Sequence, residues 1–448
     1  MYRIFFALIV LIAGGCAPHA PYRTQITACN TDGGVEPCAQ NFIEENAHYV
    51  LGVVEFDDQG WFWDRTQMLK LIDRLSVEAN KQDLLMVVFA HGWQHNAAVC
   101  DTNMSCFRES LRRIRDLELR AAEVQRRDPR KVVGVYLGWR GLSLKGEWLN
   151  NLTFWDRKNT AHQVGSSAVT ELLVRLNSIR YIKRNIMGEQ RPSPTQLIIV
   201  GHSFGGAVVY SAVSQLLIDR FVDYRGEGAP PEPFGDLVVL INPAFEAKRY
   251  EPLHRMALER TYLPGQAPIM AIVTSRGDAA TRTAFRAGRV LATLFEKHRD
   301  DDQQQANRWA VGHFERYRTH TLTATAPQPA RVKTEQAECL CPFLGEYAGT
   351  QATDLQTLAE FRKNWGEGLF KTGWEQRFPG SVLKHDPYEK KSHALNPLFV
   401  ISTDDEVIKG HNDIYRPVFV DFVRYFMLLA TPAPAGVAQP ARAASSAK

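Results

Sequence analysis

The spacing of apolar residues along the chain switches between two periods, and this predicts alternating strands and helices. Continuous apolar runs are typical of strands buried on both faces of a sheet, and such runs occupy 49–56, 84–89, 132–137, 197–200, 237–241, 269–273 and 398–401. Amphipathic stretches with helical spacing lie between or after them, at 64–80, 105–127, 156–184, after residue 203 and at 414–429. Strands that alternate with helices predict βαβ units, and therefore an α/β fold with a mostly parallel sheet and helices on both faces.

Domain boundaries follow from where this alternation begins and ends. The α/β domain is predicted to run over 49–429, after a linker or extension at 16–48. Residues 430–448 are rich in Ala and Pro, a composition that predicts a disordered tail.

The alternation stops between 286 and 396, which is too long a stretch for a connecting loop in a compact domain. An inserted cap or lid is therefore expected at 286–396. Its aromatic residues Trp365, Phe370 and Trp374 would suit a lipid-like ester, although core packing is the more common role of such residues.

A glycine-rich turn within 197–206 (LIIVGHSFGG) joins a buried strand to a helix. Ser203 stands at its tip in a G-x-S-x-G pattern, in which Gly201 and Gly205 leave room for the helix to approach the strand. The segment resembles the nucleophile elbow of the α/β-hydrolase fold. The resemblance implies that Ser203 is a nucleophile and that the Phe204 N–H, at the helix N-terminus, stabilises an oxyanion. A purely structural Gly-rich turn is the alternative.

A second segment, 87–93 (VVFAHGW), ends a buried strand with His-Gly. It resembles the oxyanion loop of lipases and esterases, in which the residue after His-Gly donates its backbone N–H. The resemblance therefore makes Trp93 the second donor beside Phe204. His91 and His95 could instead bind a metal, but that four-residue spacing requires a helix, and this segment follows a strand. No metal and no cofactor is expected.

The same resemblance requires an acid and a base after the serine, in the order Ser, Asp or Glu, His. Asp278 ends a predicted strand, where the acid is expected, although it could also cap a helix. His411 lies between the last predicted strand and the last helix, where the resemblance places the base. The alternative acids are Asp404 and Asp405, and the alternative bases are His313 and His320.

The first residues have the pattern of an export signal. Arg3 precedes an apolar run at 4–13, which is too short to cross a bilayer as a helix. The following Ala-Gly-Gly-Cys, 13–16, resembles a bacterial lipoprotein signal, although Ala13 stands where Leu is usual. An ordinary secretory signal cleaved after Ala20 is the alternative.

The lipoprotein resemblance implies removal of residues 1–15 and lipidation of Cys16. Several acyl chains on one N-terminus would hold the protein firmly on a membrane. Ala17, in place of Asp, resembles the pattern of outer-membrane lipoproteins. The expected location is therefore the bacterial cell envelope, on the outer membrane, facing the periplasm or the cell surface.

Seven cysteines occur in the chain, which leaves six besides Cys16. An even number in an exported chain favours disulfides. Cys29–Cys38 and Cys100–Cys106 are plausible local bridges, whereas Cys339 and Cys341 are too close together to bridge each other easily, so their partners stay open. Without a CxxC pair, a cysteine metal site is not favoured.

Composition places few limits on function. Hydrophobic residues make up 45% of the chain and charged residues 23%, which excludes a wholly disordered chain, a coiled coil and a collagen-like fibre. The net charge of +4 gives no reason to expect a nucleic-acid partner.

The motifs predict a serine carboxylesterase or lipase acting on an ester-type small molecule or a lipid. His411, oriented by Asp278, would deprotonate Ser203, which attacks a carbonyl and forms an acyl-enzyme. An amidase or thioesterase would use the same residues, and a non-catalytic envelope lipoprotein could use the fold as a binding scaffold.

The chain is also similar to uncharacterised esterase-like bacterial proteins that combine a His-Gly-Trp loop with a Gly-Trp-Arg motif, here 138–140. Arg140 ends the strand before the elbow strand. It could line the substrate pocket or make a structural ion pair.

Overall fold

A computed structural model describes residues 18–142, 147–186, 195–222, 233–327, 339–341 and 356–430, apart from positions 263, 265, 357, 358, 362 and 366. Within those ranges, the side chains of 147–155, 186 and 390 are not described. The predicted signal segment 1–15, the predicted lipidation site Cys16 and the tail from 431 to 448 lie outside the described residues. In the described part of the chain, no helix has both the length and the apolar character that crossing a membrane requires.

The described strands form one twelve-stranded sheet. In chain order they are β1 (Gln25–Asn30), β2 (Asn41–Glu45), β3 (Tyr49–Glu55), β4 (Leu84–Ala90), β5 (Lys131–Gly138), β6 (Gln196–His202), β7 (Leu237–Ile241), β8 (Met270–Ser275), β9 (His320–Ala324), β10 (Glu375–Phe378), β11 (Ser381–His385) and β12 (Leu398–Thr403). Their spatial order is β1-β2-β3-β5-β4-β6-β7-β8-β12-β9-β11-β10.

Most neighbouring strands are parallel, as the apolar runs predicted. Parallel pairing is continuous from β3 through β5, β4, β6, β7, β8 and β12 to β9. Antiparallel pairs occur only towards the two ends of the described sheet, between β2 and β3 and among β9, β11 and β10. The α/β class with a mostly parallel sheet is therefore confirmed.

The helices whose bounds the structure gives are, in chain order, α1 (Arg65–Lys81), α2 (Thr102–Gln125), α3 (Glu147–Gly165), α4 (Ala168–Tyr181), α5 (Phe204–Val222), α6 (Glu251–Glu259), α7 (Phe285–Ala292), α8 (Asp301–Arg308) and α9 (Pro417–Leu429). Asp64 caps α1, because its carboxylate accepts from the Thr66 N–H at 2.8 Å. The single helix predicted over 156–184 is instead two, α3 and α4. Gly165 ends the first where a Cβ would come within 2.2 Å of the Val208 carbonyl oxygen of α5.

Alternate residues of the central strands point into two separate cores. On β4, Met86 and Val88 belong to the core shared with α1, α4 and α5, whereas Leu85 and Val87 belong to the core shared with α2 and α9. A strand buried on both faces needs apolar residues at every position, which is why these segments show as continuous runs.

Residues 16–48 are not simply a linker, because they contribute β1 and β2 to the sheet. The buried Arg23 joins this segment to the domain: its guanidinium donates to the carbonyls of Cys38 and Ala97 and pairs with Glu44. Its backbone N–H donates to Glu55 at the end of β3. Polar and charged residues interrupt the apolar residues of β1 and β2, so neither strand shows a continuous apolar run and the sequence pattern missed both.

The prediction of a cap or lid over 286–396 is wrong for residues 320–324 and 375–385, which form β9, β10 and β11 of the main sheet. These strands are short and amphipathic, so they lack the continuous apolar signal of the central ones. Trp365 and Trp374 are buried in the core beside Phe399, and the Trp374 indole donates to the Ala394 carbonyl at 3.0 Å.

Three disulfides join the six cysteines. Cys29–Cys38 forms as predicted, but the predicted Cys100–Cys106 bridge is wrong. The structure instead pairs Cys100 with Cys339 and Cys106 with Cys341. Separations of 239 and 235 residues along the chain make these pairings invisible to local spacing. They fasten 339–341 to the start of α2.

Candidate active site

The carboxyl ends of the parallel strands meet at one edge of the sheet, where ligands bind in open α/β sheets. His91 follows β4, Trp139 follows β5, Ser203 follows β6, Asn242 follows β7 and Asp278 lies just beyond β8. The loop after β12 brings His411 to the same edge. The edge therefore collects every residue predicted to act on a substrate.

Ser203 occupies a strained turn between β6 and α5. Its φ is +56°, in the left-handed region that non-glycine residues seldom adopt. Three backbone hydrogen bonds hold this conformation: its N–H donates to the Ile241 carbonyl at 2.9 Å, and its own carbonyl accepts from Gly206 at 3.0 Å and Ala244 at 3.1 Å. The turn fixes where the Ser203 hydroxyl points.

The two glycines of the G-x-S-x-G pattern are required by close backbone contacts. A Cβ on Gly201 would lie 2.5 Å from the Gly205 carbonyl oxygen, and a Cβ on Gly205 would lie 2.0 Å from the Ala90 carbonyl oxygen. No side chain fits at such distances. The glycines let α5 start directly against β4 and β6, as the sequence predicted.

Ser203, His411 and Asp278 form a continuous hydrogen-bonded series. The Ser203 hydroxyl lies 2.7 Å from His411 Nε2, and His411 Nδ1 lies 2.8 Å from Asp278 Oδ2. Ser203 and Asp278 are buried, whereas the His411 side chain is 19% exposed. Burial alone would raise the pKa of Asp278, but His411 and the Thr281 hydrogen bonds outweigh it and hold that pKa below its ordinary value.

A second pair of side chains lies behind Asp278. The Thr281 hydroxyl donates to Asp278 Oδ2 at 2.5 Å, and the Thr281 N–H donates to Oδ1 at 3.1 Å. With its proton directed at Asp278, the hydroxyl accepts from His313 Nε2 at 2.9 Å. Burial lowers the pKa of His313 to about 4, so this imidazole is neutral at pH 7. His313, an alternative base from the sequence, thus supports the acid rather than contacting Ser203.

The backbone of His411 is held by two residues that the sequence did not single out for this role. His202 Nε2 lies 3.0 Å from the His411 carbonyl oxygen, and the Asn242 amide donates to the same oxygen at 2.9 Å. Asn242 also accepts from the Ser275 N–H at 2.9 Å. Burial lowers the pKa of His202 to about 3, so it keeps a single ring proton, which it donates to that carbonyl. A polar Asn directly after a buried apolar run was the available signal for Asn242.

The remaining sequence alternatives have other contacts. Asp404 accepts from the Val407 and Ala324 N–H groups and so closes a turn, while Asp405 lies 3.2 Å from the Ser275 hydroxyl. His320 is buried with its ring stacked on Phe399, 4.2 Å between centroids. Asp278 and His411 are the acid and imidazole that the structure brings to Ser203.

The 91–95 loop passes directly against the serine. A Cβ on Gly92 would lie 2.9 Å from Ser203 Cβ, so only glycine permits this approach. The Gln94 N–H donates to the Gly141 carbonyl at 3.0 Å, and Gln94 has a positive φ of 70°. Trp93 lies between these two anchored residues, and Phe204, directly after the serine, begins α5.

His91 and Trp139 fix the base of this loop. The Trp139 N–H donates to His91 Nε2 at 3.1 Å, so the imidazole proton is on Nδ1, which donates to the Gly92 carbonyl at 2.9 Å. Burial lowers the pKa of His91 to about 4 and keeps it neutral. Both ring nitrogens therefore serve the loop. His95 in turn bonds Asp101, the cap of α2, and no group of three or more metal-ligating side chains occurs among the described residues.

Arg140 makes a structural ion pair. Its guanidinium bonds the Asp58 carboxylate, which Arg157 also contacts at 2.9 Å. Burial would raise the pKa of Asp58, but the two arginines outweigh it and lower that pKa. This network fastens the loop after β5 to the loop after β3. Of the two roles left open by the sequence, the structure assigns Arg140 the ion pair.

Known proteins add nothing to this geometry. No protein-family model matches the chain, and no curated protein or solved structure matches it either.

Proposed function

We propose that the protein is a serine hydrolase of the α/β-hydrolase type that cleaves carboxylic esters. The observation that carries the proposal is the series of two short hydrogen bonds, Ser203 to His411 and His411 to Asp278. A nucleophile bonded to a base, which is in turn oriented by a buried acid, is the arrangement that activates a hydroxyl.

In the proposed reaction, His411 Nε2 accepts the proton of Ser203 as Oγ attacks the ester carbonyl carbon. Asp278 holds the imidazole in the tautomer that leaves Nε2 free to accept, and it stabilises the imidazolium that forms. His411 then gives the proton to the departing alcohol, which leaves an acyl group on Ser203. Water, deprotonated by His411, attacks the acyl carbon; the acid is released and Ser203 regains its proton.

The negative charge on the carbonyl oxygen needs donors that are already in position. The Trp93 and Phe204 N–H groups are proposed for this role, because Gly92 brings one backbone and the start of α5 brings the other to the serine. Removing one such donor in comparable enzymes costs roughly 3 kcal/mol of transition-state stabilisation.

Labelling with a fluorophosphonate tests the proposal directly, because this probe reacts only with an activated serine. We expect an adduct on Ser203 that mass spectrometry locates and that His411→Ala abolishes. Ser214→Ala is the matched control, since it removes a serine hydroxyl from the helix that follows Ser203, and its labelling should equal that of the wild type. Folded wild-type protein that resists the probe, with and without detergent micelles, would support the scaffold alternative.

The cellular location is a separate proposal, namely a lipid-anchored position in the bacterial cell envelope through Cys16. Three disulfides support an oxidising compartment. Cys16→Ala should move the protein from the membrane to the soluble fraction when membranes of lysed cells are extracted with alkaline carbonate, which removes peripherally bound proteins and leaves lipid-anchored ones. A variant that sediments with membranes as the wild type does would overturn the anchor.

A further inference from the structure

Helix α7 and the turn after it present large apolar side chains to solvent. Leu291 is 70% exposed, Leu294 is 61% exposed and Phe295 is 98% exposed. The buried side of the same segment holds Phe285 and Thr293. A surface helix normally shows polar residues to water, so an outward apolar cluster of this size marks a contact surface. We name Leu291, Leu294 and Phe295 the α7 tip.

Unpaired cations lie along the same segment. Arg282, Arg286 and Lys297 are exposed, and none of them contacts a carboxylate among the described residues. Arg286 lies over the Trp309 ring, 4.0 Å from its centroid, and so stays on the surface beside the helix. Positive side chains therefore lie on the segments before and after the apolar tip.

Nearby carboxylates are mostly engaged. Glu296 accepts from the Asn307 amide at 2.5 Å and lies 4.0 Å from Arg289. At the start of α8, the exposed Asp300 pairs with Arg299 and the exposed Asp302 pairs with Arg316, whereas Asp301 has no ion pair among the described residues. The positive charges of Arg282, Arg286 and Lys297 are thus the ones available to an outside partner.

We propose that the α7 tip inserts into the surface of a bilayer that contains anionic phospholipid. Phe295 is almost wholly exposed, so it projects as a point rather than lining a groove, and a projecting Phe and Leu pair suits the boundary between headgroups and acyl chains. The flanking cations would meet the lipid phosphates. The inference is independent of the proposed hydrolysis, because neither the tip nor its cations belong to the site at Ser203.

Vesicle co-sedimentation tests this contact. The full chain with Cys16→Ser, which cannot be acylated there, is mixed with vesicles of phosphatidylcholine alone or with phosphatidylglycerol. Adding Leu291→Ser and Phe295→Ser together should lower the fraction bound to the anionic vesicles by on the order of tenfold. Val124→Ser is the matched control, because Val124 is 61% exposed on α2, and its binding should stay unchanged. Arg286→Gln with Lys297→Gln should weaken binding to anionic vesicles only.

A direct readout comes from Phe295→Trp, whose added emission should shift to shorter wavelength with anionic vesicles. Equal binding by the tip variant and its parent would overturn the proposal, as would an equal loss in Val124→Ser. A parent that ignores vesicles but forms a dimer, which the tip variant splits, would assign the surface to a second copy. Turnover of a soluble ester by the tip variant should equal the parent's, so the test separates this contact from the hydrolase proposal.

Discussion

Trp139 and His91 are joined by two hydrogen bonds and a ring stack. The Trp139 N–H donates to His91 Nε2, the indole N–H donates to the His91 carbonyl, both at 3.1 Å, and the ring planes differ by 5°. The pair connects the end of β5 to the loop that carries Trp93. The His-Gly-Trp segment and the Gly-Trp-Arg segment are therefore in direct contact.

Trp139→Phe should lower kcat by roughly tenfold with little change in KM. Phenylalanine keeps an aromatic ring beside His91 but removes the indole donor, so the loop can shift without losing the Trp93 N–H outright. Ester turnover measures the effect, and Trp61→Phe, at a side chain that is 70% exposed, is the control. Equal kcat values for the two variants would contradict a positioning role.

Asp278→Asn should lower kcat by roughly 10⁴, because the amide removes the charge and favours the wrong imidazole tautomer. Asp404→Asn, in the neighbouring turn, should leave kcat nearly unchanged, since Asp404 bonds only backbone groups of the described residues. Steady-state kinetics on the two purified variants give the comparison. The opposite ranking would assign the acid to Asp404.

Thr281→Val should make the protein unfold at higher pH on acidification. The folded pKa of Asp278 is lowered, so Asp278 stabilises the fold above its unfolded pKa of about 3.9, and this stabilisation is lost as pH falls through the folded value. Valine removes the hydroxyl that helps to lower the folded pKa of Asp278. The folded and unfolded pKa values then differ less, so Asp278 contributes less stability and the protein unfolds at a higher pH. Circular dichroism against pH measures the midpoint. Thr281→Ser keeps the donor and should unfold as the wild type does; identical midpoints for both variants would refute the role.

Because several histidines are buried and neutral, the free energy of unfolding should decrease as the pH falls from about 6.5 to about 4. The pKa values of His91, His162 and His202 are lowered to about 4, 3 and 3, mainly by burial. The unfolded chain therefore binds protons first as pH falls, and each such histidine can contribute a slope of up to about 1.4 kcal/mol per pH unit.

Urea unfolding at about pH 7.5 and about pH 5 measures this loss of stability. His162→Gln should reduce the difference between the two stabilities, because it removes one of the histidines whose pKa is lowered. His162 suits this test because it lies away from Ser203 and bonds Ser211. A free energy of unfolding that is the same at both pH values would show that these histidines are not held neutral.

The long-range disulfides should stabilise more than the short one. Replacing all four cysteines of Cys100–Cys339 and Cys106–Cys341 by Ala should cost at least about 2–5 kcal/mol, and replacing those of Cys29–Cys38 should cost less, because the first two bridges together close a loop of 235 to 239 residues, which either alone would keep closed, whereas the third closes only 9. Chemical denaturation of the fourfold and the double variant gives the order. A larger loss for Cys29–Cys38 would show that strain or unfolded-state structure outweighs loop entropy.

Much of the candidate site was predictable because its signals are local. A Ser between close glycines, after an apolar run, indicates a tight strand-to-helix turn, and the turn is present with Ser203 at positive φ. The order serine, acid, histidine that the resemblance implies then pointed to Asp278 and His411, which follow later apolar runs. Parallel strands place their carboxyl ends at one edge, so residues distant in sequence could be expected to meet.

The supporting residues could not be predicted in the same way. Thr281, Asn242 and His202 act through hydrogen bonds whose partners come from other elements, and no spacing along the chain encodes such contacts. The role of Arg140 depended on where Asp58 lies. The disulfide partners of Cys100 and Cys106 depended on the position of residues 339–341 in the folded chain.

Continuous apolar runs were enough to predict the central sheet, because a strand that is buried on both faces needs apolar residues at nearly every position. The glycines on either side of Ser203 likewise predicted the close-packed turn, because glycine alone tolerates those backbone contacts. The other features depend on contacts that form only in the folded chain. Residues 25–30, 41–45, 320–324 and 375–385 joined the sheet edges, where one exposed side weakens the apolar pattern. Cross-linking and positioning residues found partners that only the folded chain brings within hydrogen-bonding or disulfide distance.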